Sequence, residues 1–139
     1  MAFHNRIGTT TAVISDASIA VARIVTGDTT DTTNTSLVMK AATGATTKPL
    51  GITFTKTEAV DKEASICYAG ITELEVNGSS AIDINDSIIA TTAGIGVIAG
   101  TPAATQQWAI GYALEPSAAS GDVISVLVSP HLIVEGDQA

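Results

Sequence analysis

The sequence predicts an all-β protein: a compact β-barrel-like domain with an extended N-terminal arm. Three observations lead there. Apolar residues make up 45% of the 139 residues but aromatics only 4%. The core must therefore be built from Ala, Ile and Val, with Thr beside them. β-Branched side chains lose rotamer freedom in helices and suit a pleated surface. Short stretches alternate apolar and polar residues between Gly, Asn and Asp punctuation, the period-2 signature of strands. A 3.6-residue period is sustained nowhere for three turns. The length fits one domain.

Residues 1–16 are rich in Thr and poor in large apolar side chains, so they read as the arm, and 17–139 as one domain. Ser18–Thr26 is the first strand expected in the domain. A polar loop follows at Gly27–Thr35, whose Asp, Asn and Thr side chains favour local turns. Ser36–Ala41 is the next strand. Leu50–Thr55 alternates, with Leu50, Ile52 and Phe54 expected inward and Thr53 and Thr55 outward. Ala64–Ala69 and Ile71–Val76 follow, then an Asn77–Gly78 turn. Ser87–Ala90, Ile95–Ala99, Trp108–Glu115 and Asp122–Ser129 complete the series. Short helices can be accommodated only near Ser79–Ile84 or Ala103–Gln107. Strands at this spacing indicate a sandwich or small barrel.

An internal repeat runs through the series. Residues 50–68 align without gaps on 110–128, at an offset of 60 (110 − 50 = 60). Leu50-Gly51 falls on Ile110-Gly111, and Phe54 on Leu114. Ala64, Ile66 and Tyr68 fall on Ile124, Val126 and Val128. Each copy reads as strand, small polar loop, strand. A glycine inside each first strand suggests a bulge or close backbone approach.

The formal net charge is −8, and the six basic residues are scattered singly. Binding phosphate backbones requires clustered Lys or Arg, so nucleic acid and anionic membrane are excluded as partners. Charged residues are only 14% of the chain, against about a quarter in average domains. That fits a surface partly covered by other subunits. The stretch Ile88–Trp108 is interrupted by Pro102 and several glycines and does not suit a membrane helix. The N-terminus lacks the apolar run of a signal peptide.

No catalytic constellation is legible, and no enzyme activity is expected. The two histidines, His4 and His131, are far apart in sequence and read as surface or interface residues. Cys67 lies in an apolar run and reads as a small buried hydrophobe. Two histidines and one cysteine do not make a zinc site. Asp83–Ser87 starts like a calcium loop but lacks the glycine and the final glutamate. Gly44–Lys48 and Gly94–Gly100 fail as phosphate loops, the first for want of a glycine and the second for want of a following helix. No metal, cofactor or small-molecule substrate is expected.

From about Ala22 to Val128 the order of residues resembles the decoration, or cement, proteins of tailed-phage capsids with the HK97-type shell. The carriers are Arg23-Ile-Val-Thr-Gly27, Pro49-Leu-Gly-Ile52, Gly70-Ile-Thr-Glu-Leu-Glu-Val76, Ile84-Asn-Asp-Ser-Ile88 and Gly94-Ile-Gly-Val-Ile98, then Ile110-Gly-Tyr-Ala-Leu-Glu115 and Gly121-Asp-Val-Ile-Ser-Val-Leu-Val128. Asn85-Asp86-Ser87 departs from the Gly-Asp turn such proteins often have. The resemblance implies a β-barrel or β-tulip that binds the outer surface of a capsid as a homotrimer and stabilises the shell. Its partner would be the major capsid protein, and its place the virion, assembled in the host cytoplasm. It also implies that an N-terminal arm reaches the capsid protein. Here that role falls to Met1–Thr11, with Phe3, His4, Asn5, Arg6 and Ile7 as candidate contacts. Trp108 and Tyr112 are candidate subunit-interface residues. The alternative is a phage fibre or adhesin-type β module that binds a host glycan or protein, although such modules usually present more aromatics.

Overall fold

The computed structural model describes residues 5–14, 19–28, 38–55, 62–78, 80–100 and 106–133. Nine strands form one sheet: β1 (Asn5–Ile14), β2 (Ile24–Gly27), β3 (Val38–Ala41), β4 (Pro49–Thr53), β5 (Glu63–Asn77), β6 (Ser87–Ala90), β7 (Gly96–Ile98), β8 (Gln107–Ala113) and β9 (Ser120–Ile133). The all-β expectation is correct. The helical exception among the described residues is a single 3-10 turn, Thr92–Gly94. Ser80–Ile84 is not helical, and the rest of the second helix candidate lies largely outside the described residues.

The sheet closes twice. Its order is β1-β3-β2-β4-β5-β7-β6-β8-β9, with further pairings of β1 to β5 and β5 to β9. Strands β1, β3, β2, β4 and β5 thus form one ring, and β5, β7, β6, β8 and β9 a second. The 15-residue β5 belongs to both. Two expected strands, on either side of Gly70, are fused into it. Gly70 has φ +104°, and a Cβ there would lie 2.4 Å from the Asn5 carbonyl oxygen. Only glycine lets β5 continue through that conformation and that close approach.

Most pairings are antiparallel; β1–β3 and β5–β7 are parallel. The edges of β5 follow from its register. Cys67 pairs with Thr9 of β1 and Ile52 of β4, so these two strands lie on opposite edges. Gly70 pairs with Arg6 and with Val128, so β9 takes over from β4 on the second edge. Val76 pairs with Asp122 and with Gly96, which puts β7 on the edge that β1 uses.

The two rings are built alike, strand for strand. The hairpin pairs Ile52↔Cys67 and Thr53↔Ile66 recur 60 positions later as Tyr112↔Leu127 and Ala113↔Val126 (112 − 52 = 60). The run Thr9↔Cys67 to Val13↔Glu63 recurs as Ile71↔Leu127 to Glu75↔Val123. The bulge between Val25 and Thr26, opposite β4, recurs between Ile88 and Ile89, opposite β8. Left-handed backbone recurs too: Ala22 (φ 60°) and Asn85 (φ 77°) each donate an N–H at 2.8 Å, to the Thr53 and Ala113 carbonyls. Likeness at every strand means that β5 is the last strand of one unit and the first of the next.

Burial follows the rings. Ala12, Ile19, Val25, Met39, Ala64 and Ile66 fill the first. Leu74, Val76, Ile88, Ile110, Ile124 and Val126 lie in the larger core of the second. A third, smaller cluster of Ile89, Ala99, Ala109 and Ile133 sits on the outer face of β6, β8 and β9. One expectation fails: Thr53, read as outward, is fully buried. Its hydroxyl donates to the Ala20 carbonyl at 2.8 Å and accepts from the Arg23 N–H at 3.0 Å. The pair of bonds offsets the cost of burying a hydroxyl.

Candidate functional site

The segment read as an arm is, over Asn5–Ile14, a strand of the first ring. Eight register pairs join it to β5, from Asn5↔Ile71 to Val13↔Glu63. A ten-residue strand held along one edge cannot swing free. Ala12 is buried in the first core. Phe3 and His4 lie outside the described residues.

The other three candidate contacts part company. Arg6 turns inward: its guanidinium lies 4.5 Å above the Phe54 ring, and its Nε–H donates to Thr72 Oγ1 at 2.9 Å. Phe54 in turn packs on the larger core. Arg6 therefore ties β1 to the junction of the two rings. Ile7 turns outward and is 78% exposed, more than any other large apolar residue described. Asn5 is exposed. Beside them Tyr68 is half exposed, and a Cβ on Gly8 would touch its ring at 2.7 Å. Ile7 and Tyr68 are thus exposed apolar side chains beside β1, and Thr9, Thr10 and Thr11 are exposed and uncharged.

On the opposite edge of β1 the described residues place a strand only at one end. Val13 pairs with Glu63 on one side and with Val38 on the other. The β3 side is filled only at Val13 and Ile14. Over Asn5–Ala12 no described strand lies along it. Natural edges usually carry charge, proline or strong bulges that discourage pairing. This one carries irregular register at Arg6–Thr9 but no acidic residue or proline.

Trp108 and Tyr112 sit on β8 in different surroundings. Trp108 is half-buried, opposite Leu132, with the Lys48 ammonium 5.6 Å from its ring centre. Its backbone N–H donates to the Ala45 carbonyl at 2.7 Å. Tyr112 stacks on His131 at 4.7 Å between ring centres. His131 Nδ1 lies 2.8 Å from the Ser129 carbonyl, which can only accept, so Nδ1 donates there; Nε2 lies 3.3 Å from the Ser87 hydroxyl. A serine beside an imidazole raises the question of nucleophilic chemistry. Among the described residues no third side chain orients the pair, and neither described groove is lined by it. The two described grooves hold about 120 and 150 Å³, below the ~300 Å³ of ordinary ligand sites. Among the described residues no three His, Cys, Asp or Glu side chains converge on a metal position, and no helix is long and apolar enough to cross a membrane.

The repeat explains why Tyr112 is at the surface. Ile24, Ile52 and Cys67 form one register row across β2, β4 and β5. They are fully buried, because the second ring packs against them. Ser87, Tyr112 and Leu127 are the matching row across β6, β8 and β9. Among the described residues no further ring packs on this row, and Leu127 is 39% exposed. The substitution of Ile, Ile and Cys by Ser, Tyr and Leu suits a row that meets water or a partner rather than a core. Sequence reading singled out Tyr112 but not its stack on His131, because the two lie 19 positions apart (131 − 112 = 19).

Burial raises the Cys67 thiol above its usual pKa, opposed by its bond to the Ala69 carbonyl and by the nearby Arg6 charge. The thiol is inaccessible. Glu115 is held below the ordinary carboxylate range by its bonds to the Ser125 hydroxyl and N–H, the latter at 2.8 Å.

Comparison with known proteins gives one kind of likeness. No protein-family model matches the chain, and no curated protein matches it in sequence. A solved structure does. The head fibre gp8.5 N base of bacteriophage phi29 superposes with a TM-score of 0.63, covering 88% of this chain and 93% of that one. Sequence identity is 18%. At that identity the shared property is the fold. This chain has the fold of a phage head-fibre base, over nearly the whole of both chains.

Proposed function

We propose that this chain is a structural virion protein that attaches to the outer surface of a tailed-phage capsid. One observation carries the reading: the two-ring fold matches a phage head-fibre base across nearly all of both chains. The chemistry agrees with it. The described surface carries the exposed apolar side chains Ile7 and Tyr68 beside β1, and the two described grooves are smaller than an ordinary substrate site. A net charge of −8 suits a protein outside the shell, away from packaged DNA.

The finer reading is that it acts as a cement protein: a homotrimer that spans several copies of the major capsid protein and stiffens the shell. Linked weak contacts would then add by avidity. Ile7 and Asn5 would face the capsid and Tyr112 the neighbouring subunit, while Arg6 holds β1 in place. A second reading, the base of a fibre that carries a host-binding tip, is favoured by the comparison structure being a fibre base.

The experiment is co-sedimentation of the purified protein with undecorated heads of its virus. Binding at micromolar protein, with greater resistance of the heads to heat, supports cement. Binding without added resistance supports a fibre base. No binding ends the capsid reading. Light scattering measures the subunit count.

A further inference from the structure

We infer that the end of the second ring, at Asp86, Tyr112 and Leu127, receives an extended apolar–basic–apolar segment of the capsid protein. This rests on the capsid-attachment reading and not on the trimer, in which a neighbouring subunit covers Tyr112.

The seam between the two rings is the template. At the end of the first ring Ala22, Arg23 and the row Ile24–Ile52–Cys67 meet one extended stretch of β5, Leu74-Glu75-Val76. The Glu75 N–H donates to the Ala22 carbonyl at 3.0 Å, and its carboxylate pairs with Arg23. Leu74 and Val76 share a core with Ile24, Ile52 and Cys67. One residue thus supplies a main-chain donor and a charge, and its two neighbours supply apolar contact.

The end of the second ring repeats each receiving position. Asn85 matches Ala22 in its bond to the hairpin, and Asp86 matches Arg23: the Thr53 and Ala113 N–H groups donate to the Arg23 and Asp86 carbonyls. Asn85 is exposed, and among the described residues no donor meets its carbonyl. The row Ser87–Tyr112–Leu127 runs on into Ile71 without a charge. The charge beside it is reversed, with aspartate where the first ring has arginine. One Asp86 carboxylate oxygen accepts the Asp83 N–H at 2.7 Å. No cation meets Asp86 among the described residues. A segment that lies here as Leu74-Glu75-Val76 lies on the first ring must carry lysine or arginine in place of the glutamate.

The chain does not offer that segment itself. β9 is the counterpart of β5, but His131–Ile133 stay paired with β8, where Ile71–Glu73 have left β4 for β9. Position 135, 60 after Glu75 (135 − 75 = 60), is again glutamate, and residues 134–139 hold no lysine or arginine. A second copy is the weaker occupant for the same reason. Only Ala22-Arg23-Ile24 and Met39-Lys40-Ala41 set a basic residue between apolar neighbours. Both are built into the first ring, where Ile24 and Met39 are fully buried. Each further copy also brings a net charge of −8, which opposes its approach.

The test joins head binding to side-chain footprinting. On undecorated heads, hydroxyl radicals should modify Tyr112 and Leu127 less than they do in the free protein. Asp86→Asn keeps an oxygen for the Asp83 N–H and removes the charge. It should keep the wild-type urea midpoint and bind heads at least about fivefold more weakly, and added salt should narrow that gap. Leu127→Ser, at an exposed position, is a second variant expected to bind more weakly. If wild type binds heads but Tyr112 and Leu127 stay as reactive as before, or Asp86→Asn binds as well as wild type, the inference is wrong while attachment stands. If self-association of the free protein already shields the two residues, a second copy covers this end and the inference is overturned. If wild type does not bind heads, both readings fall.

Discussion

Gly51 and Gly111 occupy the same register point of two hairpins, 60 positions apart. A Cβ on Gly51 would lie 2.4 Å from the Cys67 carbonyl oxygen; one on Gly111 would lie 1.9 Å from that of Leu127. In each ring a glycine lets the first strand of the hairpin press against the backbone of the second. The obstacle is main chain, which cannot rotate away.

Gly51→Ala and Gly111→Ala should therefore each destabilise by about 1–3 kcal/mol, the usual cost of overpacking, with Gly111→Ala the worse. Urea midpoints at constant m-value measure it. Equal stability to wild type at both sites would contradict the close approach.

Arg6 and Ile7 are neighbours with opposite expectations. Arg6→Ala removes a cation–π contact and a hydrogen bond at the ring junction and should cost about 1–2 kcal/mol. Ile7→Ser removes an exposed side chain and should change stability by less than about 0.5 kcal/mol. If the two variants unfold alike, the inward and outward assignment is wrong. Deleting residues 1–11 is not a clean test of binding, since it strips most of β1 from β5.

Glu115 makes stability depend on pH. Its folded pKa is depressed, so its contribution is present above the unfolded pKa and is lost as pH falls through the folded one. The unfolded value is about 4.3. Wild type should lose stability relative to Glu115→Gln as pH falls from about 5 towards 3, and urea midpoints across that range should converge. A constant gap would show that the bond to Ser125 does not involve the charged form.

Cys67 should be silent in the native state. It is fully buried, and burial raises its thiol pKa. Thiolate is the reactive species, so a disulfide reagent at neutral pH should label it at the rate of unfolding. Fast labelling of folded protein would show that the junction of the rings opens.

Part of this was readable along the chain. Alternation at Ile71–Val76 and at Leu50–Phe54 marks strands because the side-chain period of 2 is local. Thr53 misled, since its partners Ala20 and Arg23 are more than 25 positions away and alternation assigns a hydroxyl to the water side. Breaking β5 at Gly70 misled for a related reason. A glycine reads as an interruption unless the strand that crosses it, here β1, is known. Asn5–Ile14 carries few large apolar residues and so looked detached, yet main-chain bonds to β5 hold it, and those leave no trace in side-chain type.

The sequence by itself determined the β class, the aliphatic core and the scarcity of histidine, cysteine and aromatic side chains. These depend on composition and on neighbours a few residues apart. Only the tertiary structure decided that β5 serves two rings, that Arg6 faces inward while Ile7 faces out, and that the row Ser87–Tyr112–Leu127 stays open where Ile24–Ile52–Cys67 is closed. Each is a pairing between residues far apart in the chain. Backbone hydrogen bonds set such pairings and are nearly blind to residue identity, so register and edge emerge only when the whole sheet has closed.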